Sequence, residues 1–356
     1  MSEVLEGIRG VYASVGIRVA EPAAYGTYYR LRCEGCDGYL GVVGDRLLPG
    51  LMASLLEAQR DLYAEGLLGC GCGHQAAKTG GQAARWREPA PGTLGPEAWP
   101  LWRRAYAGGD PLPALPRRED PSPHRFEEGD PLPDEYRGLL LKMLAHEGER
   151  AGNKSFWGFM ATCADLAEAL APSEEARALK AEYLAEEMKH AILFHRLATG
   201  LARDFALKDV PYTHYAFHLP RECWADDAFF HFFVDLNGAF HARDWRGSSY
   251  VPLTKIAATV ERDELGHSEM GYHFLTGLSA HPEGRVQVQR LLAKWYPAAL
   301  DMFGRTASPN VPRFIGWGLK SLGNEEIRQA YRGYVDRKLA ALGLELPDPT
   351  HRRFFL

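Results

Sequence analysis

Two copies of a Glu-x-x-His motif are the residues of this sequence best suited to chemistry. The first copy is Glu187 with His190, and the second is Glu264 with His267. Both lie in segments of helical character, where residues three apart share one face, so each motif directs a carboxylate and an imidazole toward one point. Two such motifs, with one carboxylate from each of two further helices, hold two metal ions in some helix bundles. The spacing therefore predicts a centre of two metals.

The carboxylate from a third helix is predicted to be Asp235. It lies in the apolar run Phe229–Leu236, where an ionised side chain is costly to bury without a partner. A metal ion would supply that partner. The alternative is that Asp235 faces solvent or pairs with Arg243 or Arg246, because buried charges are usually paired.

The sequence indicates the carboxylate ligand from the first helix less clearly. The stretch from Asp134 to Ala171 is predicted to form one long helix, and its carboxylates near the required level are Glu147 and Glu149. The family resemblance described below selects Glu149. The alternative is that both are solvated charges on the helix surface, which is the usual location of Glu.

Two further acidic residues, here called the outer carboxylates, precede the motifs. Glu186 lies four residues before His190, and Asp263 lies four residues before His267. Four residues again keep two side chains on one helix face. A metal-binding His commonly donates its second ring N–H to a carboxylate, so each outer carboxylate is predicted to orient the His of its own helix. The alternative is an exposed helix charge.

Composition and charge place the chain among soluble globular proteins. Of its 356 residues, 46% are hydrophobic and 24% are charged, and the net charge is −5. No basic run indicates nucleic acid or an anionic membrane as a partner, and no apolar stretch reaches the roughly 18 residues that a bilayer requires. The N-terminus lacks the features of a signal peptide, so a cytoplasmic location is expected.

Four of the six cysteines form a second candidate site near the N-terminus. They are Cys33, Cys36, Cys70 and Cys72. In a cytosolic chain such close pairs favour metal or redox use over structural disulfides, and four thiolates make a tetrahedral structural zinc site. Reduced buried thiols and a redox pair are the alternatives. Cys163 and Cys223 stand alone in apolar helical contexts and are predicted to be core residues.

The placement of proline and of hydrophobic periodicity divides the chain into regions. Residues 1–85 are predicted to form a small module that contains the cysteine pairs. Residues 86–133 hold eleven of the 23 prolines, so 86–132 is predicted to be a linker or a wrapping arm. Residues 133–349 are predicted to be a helical metal-binding domain, and 350–356 are predicted to be a tail.

Within these regions the sequence predicts individual elements. The module has strand patterns at Tyr28–Arg32 and Tyr39–Val43 and a helical pattern over Leu51–Leu67. Ser173 is a good N-cap, and Pro252 can open a helix. After the first helix, the predicted helices are Ser173–Ala202, Trp224–Trp245, one from Pro252 that ends before His281, Glu283–Phe303 and Asn324–Leu342.

The helical region resembles a known family in its motifs and in its C-terminal part. Beside the two motifs and Val234-Asp235, the matching segments are Trp295–Pro297, Met302–Gly304, Ser308–Asn310, Trp317–Lys320, Asn324–Gln329 and Leu342–Pro349. In these residues the chain resembles the catalytic subunit of the ring-1,2-phenylacetyl-CoA epoxidases, which are bacterial multicomponent di-iron oxygenases. The resemblance implies a mainly α fold, namely a ferritin-like four-helix bundle with extra C-terminal helices beside the N-terminal module.

The resemblance also implies a set of ligands for two iron ions. These ligands are Glu149, Glu187, His190, Asp235, Glu264 and His267. The segment His146–Gly152 is similar to the family's first-helix segment, with Glu149 at the ligand position. The family places that ligand about 30 residues before the first motif, which falls on Trp157 in this sequence. Glu149 therefore requires about eight extra residues, or roughly two helical turns; otherwise Trp157 replaces a ligand.

The activity that the resemblance implies is epoxidation of an aromatic acyl-CoA, such as phenylacetyl-CoA, with O2. A reductase would supply electrons, a related non-catalytic helical subunit would be a partner, and an oligomer is expected. Manganese shares these ligands with iron. Trp157, Phe159, Phe232 and Phe233 are candidate pocket residues, although each one taken alone is better explained as an ordinary core residue. Basic residues such as Lys320 or Arg328 are candidates to meet the phosphates of the thioester.

Two other functions remain open at this point. A structural subunit that scaffolds an oxygenase complex without doing chemistry is favoured by Trp157 at the counted ligand position. A ferritin-like metal-binding protein is the other, but a simple storage bundle has no use for the distinctive C-terminal segments.

Overall fold

The protein, described here from a computed structural model, has a mainly helical, ferritin-like fold beside a small N-terminal module. The described residues are 3–22, 28–44, 62, 69–70, 72–81, 111–115, 124–148, 154–202, 214–219 and 221–351. Every helix in these ranges is too short or too polar to cross a bilayer. The predicted mainly α fold is confirmed.

The N-terminal module contains a three-stranded antiparallel sheet. Its elements are α1 (Glu3–Ser14), β1 (Ile17–Pro22), β2 (Tyr28–Cys33), β3 (Tyr39–Gly44) and α2 (His74–Thr79). The strands lie in the order β1-β2-β3, so the predicted strand pair is confirmed as the β2–β3 hairpin. Helix α1 and strand β1 were not predicted. The predicted helix over Leu51–Leu67 lies outside the described residues, apart from Leu62.

The remaining helices carry the motifs and surround them. They are α3 (Asp134–Gly148), α4 (Lys154–Leu170), α5 (Glu174–Leu201), α6 (Trp224–Phe230), α7 (Leu236–Trp245), α8 (Val251–Ser279), α9 (Pro282–Asp301), α10 (Val311–Gly316) and α11 (Asn324–Ala341). A π-helical segment, His231–Asp235, joins α6 to α7. The stretch from Asp134 to Ala171, predicted to form one long helix, is helical over α3 and over α4, and residues 149–153 between them lie outside the described residues.

Local sequence signals set several helix ends. The Ser173 hydroxyl accepts a hydrogen bond from the backbone N–H of Ala176 at 3.2 Å, which satisfies one of the free donors of the first turn of α5. Proline occupies the first turn of both α8 and α9, where the missing N–H costs nothing. The predicted bounds of these helices are confirmed to within about two residues.

Helix α8 packs very closely against α6, the π-helical segment and α7. A Cβ atom added at Gly271 would stand 2.4 Å from the carbonyl oxygen of Ala228 and 2.6 Å from the backbone nitrogen of Phe232. Only glycine permits that approach. The Ser268 hydroxyl also donates to the carbonyl oxygen of Phe232 at 3.0 Å. This packing brings Asp235 and the second Glu-x-x-His motif to the same level.

The N-terminal module contacts the helical region. Arg30 of β2 pairs with Asp165 of α4 at 2.7 Å, and the backbone N–H of Gly69 donates to Glu222 at 3.2 Å. One described part of the proline-rich region, residues 111–115, also contacts a helix. There Arg243 of α7 donates to the carbonyl oxygen of Leu112 at 2.8 Å. Module and proline-rich region thus contact the helices that carry or flank the motifs.

Candidate metal centre

Three helical elements bring five of the six predicted ligands together. Helix α5 supplies Glu187 and His190, the π-helical segment supplies Asp235, and α8 supplies Glu264 and His267. Two groups of donor atoms form, each within 4.8 Å: the first is Glu187, His190 and Glu264, and the second is Asp235, Glu264 and His267. All five side chains are buried. The structure thus shows the clustering that the motif spacing predicts.

Two carboxylates lie between the two imidazole rings. Glu264 has one oxygen 3.5 Å from His190 Nδ1 and the other 3.9 Å from His267 Nδ1. Oε1 of Glu187 lies 3.9 Å from His190 Nδ1 and 3.5 Å from His267 Nδ1. Both carboxylates therefore lie near both imidazoles, and Glu264 belongs to both donor groups.

The outer carboxylates are at the centre, but the predicted pairing is wrong. Asp263 accepts from His190 Nε2 at 3.2 Å, and Glu186 accepts from His267 Nε2 at 2.7 Å. Each His is therefore held by the carboxylate of the opposite helix. The prediction considered one helix face at a time, whereas the antiparallel contact of α5 and α8 places the residue before one Glu beside the other His.

The charges of the centre are strongly coupled. Burial tends to raise the pKa of Glu264, but the adjacent imidazoles of His190 and His267 outweigh it and hold the pKa at about 2. Burial tends to lower the pKa of His190, yet the hydrogen bond to Asp263 and the nearby carboxylate of Glu264 raise it to about 9. Burial raises the pKa of Asp235 to about 6 against the favourable contact with His231. Positive charge beside these buried carboxylates therefore stabilises their ionised form.

The residues present fit a pair of transition-metal ions. The Nδ1 atoms of His190 and His267 are buried and have no hydrogen-bond partner in the described part of the chain. They face the carboxylates, while the Nε2 atoms are already occupied by the outer carboxylates, which is the arrangement of metal-binding histidines. Gly238 leaves room beside the cluster, since an added Cβ would stand 3.0 Å from the Glu264 carboxyl carbon. Carboxylate and imidazole donors suit iron.

Asp235 is neither exposed nor paired with the arginines considered as its alternative partners. It is 4% exposed, and its carboxylate accepts from His231 Nδ1 at 2.7 Å. Arg243 and Arg246 instead bind Glu261, at 2.6 and 3.2 Å. The π-helical turn presents both His231 and Asp235 to the interior, so the carboxylate keeps one oxygen toward the donor group.

A buried network of charged groups holds His231, which is the hydrogen-bond partner of Asp235. Lys180 Nζ donates to His231 Nε2 at 2.7 Å and to both oxygens of Asp227, at 2.8 and 2.9 Å. Arg221 donates to the same carboxylate at 3.0 Å. These residues are at most 3% exposed. This network was not predicted, although Asp226-Asp227, separated by Ala228 alone from a run of phenylalanines, was a signal that could have revealed it.

The sixth predicted ligand falls outside what the structure describes. Glu149 is not among the described residues, and Glu147 is described only as part of the backbone of α3. Trp157 is likewise described only as part of the backbone of α4. Glu149 stays a prediction.

A cavity of about 410 Å³ opens beside the cluster. Glu187, Asp235 and Glu264 form part of its wall, and exposed Lys142 and Arg305 stand at its solvent edge. Of the candidate pocket residues, Phe232 and Phe233 are core residues, which is their alternative interpretation, and the side chains of Trp157 and Phe159 lie outside what the structure describes. Among the described residues, the aromatic side chains that line the cavity are those of Tyr183, Phe217, Phe230, Trp245, Phe303 and Phe314.

Replacing Asp263 with Asn is expected to weaken metal binding about 10- to 100-fold, because His190 loses the charged acceptor that fixes its ring. Competition with a chelator, at a series of iron concentrations, measures the effect. Glu182→Gln, an exposed change on α5, is the matched control and should leave the affinity unchanged. Equal affinities of the two variants would contradict the role of Asp263.

Comparison with known proteins matches this region of the chain. A protein-family model described as phenylacetic acid catabolic protein matches residues 172–354. One component of the 1,2-phenylacetyl-CoA epoxidase of Escherichia coli (strain K12) is 24% identical over 234 residues, which cover 63% of this chain and 74% of that protein. The family match includes the five clustered ligands and excludes both Glu149 and the four cysteines of the module.

Proposed function

The chain belongs to the phenylacetic acid catabolic protein family, and we propose that it is the metal-binding, catalytic subunit of an oxygenase that epoxidises an aromatic acyl-CoA such as phenylacetyl-CoA. The observation that carries this proposal is the position of the donor groups, which form one wall of a cavity large enough for a small ligand. The similar Escherichia coli protein is named as a phenylacetyl-CoA epoxidase component, which supports the substrate class.

Two iron ions are the proposed cofactor. Glu187, His190, Asp235, Glu264 and His267 would hold them, with Glu149 as the proposed sixth ligand. Reduced iron would supply the activation of O2 and the transfer of one oxygen atom to the aromatic ring. Manganese accepts the same donors, so metal analysis of the protein must distinguish it from iron.

The residues of this chain then have separate tasks. Asp263 and Glu186 accept the Nε2 protons of the two histidines, which directs both Nδ1 atoms inward. His231 holds one oxygen of Asp235 by donating from Nδ1. Because these partners are themselves buried or paired, the donor groups are organised before any metal arrives.

The cavity walls have the chemistry that an aromatic thioester needs. Phe217, Phe230 and Phe303 offer apolar surface that would bind the ring and exclude water. Lys142 and Arg305 at the solvent edge would meet the phosphates of coenzyme A, since both are exposed cations. Lys320 also lines the cavity, whereas Arg328, the other basic candidate, is engaged with Glu325 and with the carbonyl oxygen of Leu300.

A non-catalytic scaffolding subunit is the second candidate. It is favoured by Trp157, which lies in α4 thirty residues before Glu187, the position where a ligand is expected. On this alternative the donor groups would lack the first-helix carboxylate. A reductase and a related helical protein are proposed partners in either case.

A single-turnover reaction tests the proposal without any partner. The chain is loaded anaerobically with Fe(II), reduced chemically, mixed with phenylacetyl-CoA and exposed to ¹⁸O2. We expect one ¹⁸O atom in the acyl group by mass spectrometry, and none with the double variant Glu187→Ala/His190→Ala. The exposed variant Glu182→Ala should behave as wild type. If iron-loaded wild type gives no product, and the double variant supports the same activity in the assembled complex, the scaffolding function is correct.

A further inference from the structure

The four cysteines of the N-terminal module converge on one point. Cys33 ends strand β2 and Cys36 follows it, whereas Cys70 and Cys72 precede helix α2. All four sulfur atoms lie within 4.8 Å of one another. The shortest separations join the two segments, with Cys33 Sγ 3.5 Å from Cys72 Sγ and Cys36 Sγ 3.1 Å from Cys70 Sγ.

These separations match a tetrahedral metal site better than a pair of disulfides. A disulfide requires about 2.05 Å between sulfurs, and all four residues are free thiols. Four thiolates around zinc, with Zn–S distances of about 2.3 Å, stand about 3.8 Å apart. The observed range therefore differs from that geometry by no more than about 1 Å.

The turn between the first two cysteines is shaped to point both sulfurs inward. The backbone N–H of Gly35 donates to Cys33 Sγ at 3.3 Å, and the Asp37 N–H donates to the Cys33 carbonyl at 2.9 Å. Asp37 adopts a positive φ of 56°. Gly38 then leaves space for the cluster, because an added Cβ would lie 3.2 Å from Cys36 Sγ and 3.6 Å from Cys70 Sγ.

A buried glutamine links the segment of Cys70 and Cys72 to the segment of Cys33 and Cys36 through hydrogen bonds. Gln75 is 2% exposed, and its Nε2 donates to Cys33 Sγ at 3.2 Å. Its Oε1 accepts from the backbone N–H of Cys70 at 2.8 Å. A buried side chain thus reaches into the cluster and stabilises a sulfur that accepts hydrogen bonds, which is the role of a thiolate ligand.

We propose that Cys33, Cys36, Cys70 and Cys72 bind one Zn²⁺ ion in a tetrahedral structural site. The site lies outside the segment that the family model matches, residues 172–354, so it belongs to this chain and not to the shared helical region. Four protein ligands fill the coordination sphere of zinc and leave no open position for chemistry. The ion acts by joining two chain segments that are far apart in sequence.

The zinc site also fixes how the module sits on the helices. Gly69, next to Cys70, donates its N–H to Glu222 at 3.2 Å. Glu222 precedes α6 and is adjacent to Arg221, which binds Asp227 in the buried network behind the metal centre. Loss of zinc is therefore expected to release this contact and to increase protease cleavage and hydrogen exchange around residues 69–81.

Metal analysis of the full chain as purified tests the proposal. We expect one zinc per chain in addition to any iron, zinc X-ray absorption that fits four sulfurs at about 2.3 Å, and release of zinc as a mercurial reagent titrates four thiols. Cys36→Ser/Cys70→Ser should lose the zinc, while loading of iron at the helical centre stays unchanged. Cys223→Ser, a buried cysteine outside the cluster, should keep it.

Several results would overturn the zinc site. Zinc retained by the double variant, zinc absorption fitted by nitrogen and oxygen ligands, or disulfides in the freshly purified chain would each do so. Iron bound to the four cysteines, with visible absorption that reduction bleaches, would show a mono-iron site in place of zinc. The metal content and the zinc X-ray absorption of the wild-type chain test the proposal by themselves. The test therefore remains valid even if the variant fails to fold. It is also independent of the oxygenase activity.

Discussion

Replacing Glu264 with Gln is expected to abolish binding of the two proposed iron ions at the helical centre. Glu264 belongs to both donor groups, and its two oxygens lie near the two different histidines. A neutral amide bridges two cations poorly, because its nitrogen is a donor and not a ligand. Iron after anaerobic loading and gel filtration should fall from about two ions per chain to well below one.

The matched control for this variant is Glu261→Gln. Glu261 lies one turn earlier on α8, is also buried, and binds Arg243 and Arg246 outside the donor groups. The control removes the same charge from the same helix and should keep both ions. One firmly held ion in Glu264→Gln would show that Glu264 serves a single metal, contrary to the shared position.

Replacing Asp227 with Ala is expected to lower the free energy of unfolding by about 3–5 kcal/mol, because it leaves buried cations without their counter-charge. Lys180 and Arg221 both donate to this carboxylate. Burial tends to raise the pKa of Asp227, but Lys180, His231 and Arg221 lower it well below its ordinary value. The stabilisation is therefore present at neutral pH and is lost only in strong acid. Urea unfolding of the metal-free protein at pH 7 measures it.

The control for Asp227 is Asp134→Ala at the start of α3. Asp134 has a side chain 93% exposed and pairs with Arg137, so its loss should cost less than about 1 kcal/mol. Similar losses for the two variants would mean that water solvates the network and that the charges are not truly buried. A full loss of folded protein for Asp227→Ala would instead confirm the direction of the effect.

The ligand cluster was predictable where a single helix determines geometry. The three-residue spacing of Glu187 and His190 fixes their common face, and the cost of burying Asp235 in an apolar run singled it out. The pairing of Asp263 with His190 was not predictable in this way, because it depends on how two helices align along each other. That alignment is set by packing such as the close contact at Gly271, which no local pattern records.

The cavity lining was only partly predictable, for a related reason. Phe232 and Phe233 were candidates for the pocket, with an ordinary core position as the preferred alternative, and they lie in the core. The π-helical turn of residues 231–235 alters the rotation of this segment, and Phe230 lines the cavity instead. Sequence periodicity assumes about 3.6 residues per turn, so one wide turn changes which side chains face inward. Proteins use such turns frequently at functional sites.

The helix ends were predictable because they depend on residues that are adjacent in sequence. Ser173 caps one helix and Pro252 opens another, for reasons that need no tertiary context. Strand β1 and helix α1 were missed because β1 is stabilised by pairing with β2, and α1 by packing against β1. Propensity alone is a weak guide to such elements.

The exchanged pairing of the outer carboxylates has an evolutionary consequence. Neither Glu-x-x-His helix is a self-sufficient unit, since each receives the support of its histidine from the other. A substitution at Asp263 is compensated across the helix pair, near His190, and a substitution at Glu186 is compensated near His267. Among relatives, these residues should therefore covary between the two halves of the bundle more strongly than within either helix, and a single motif grafted into another protein should transfer its ligands without the groups that orient them.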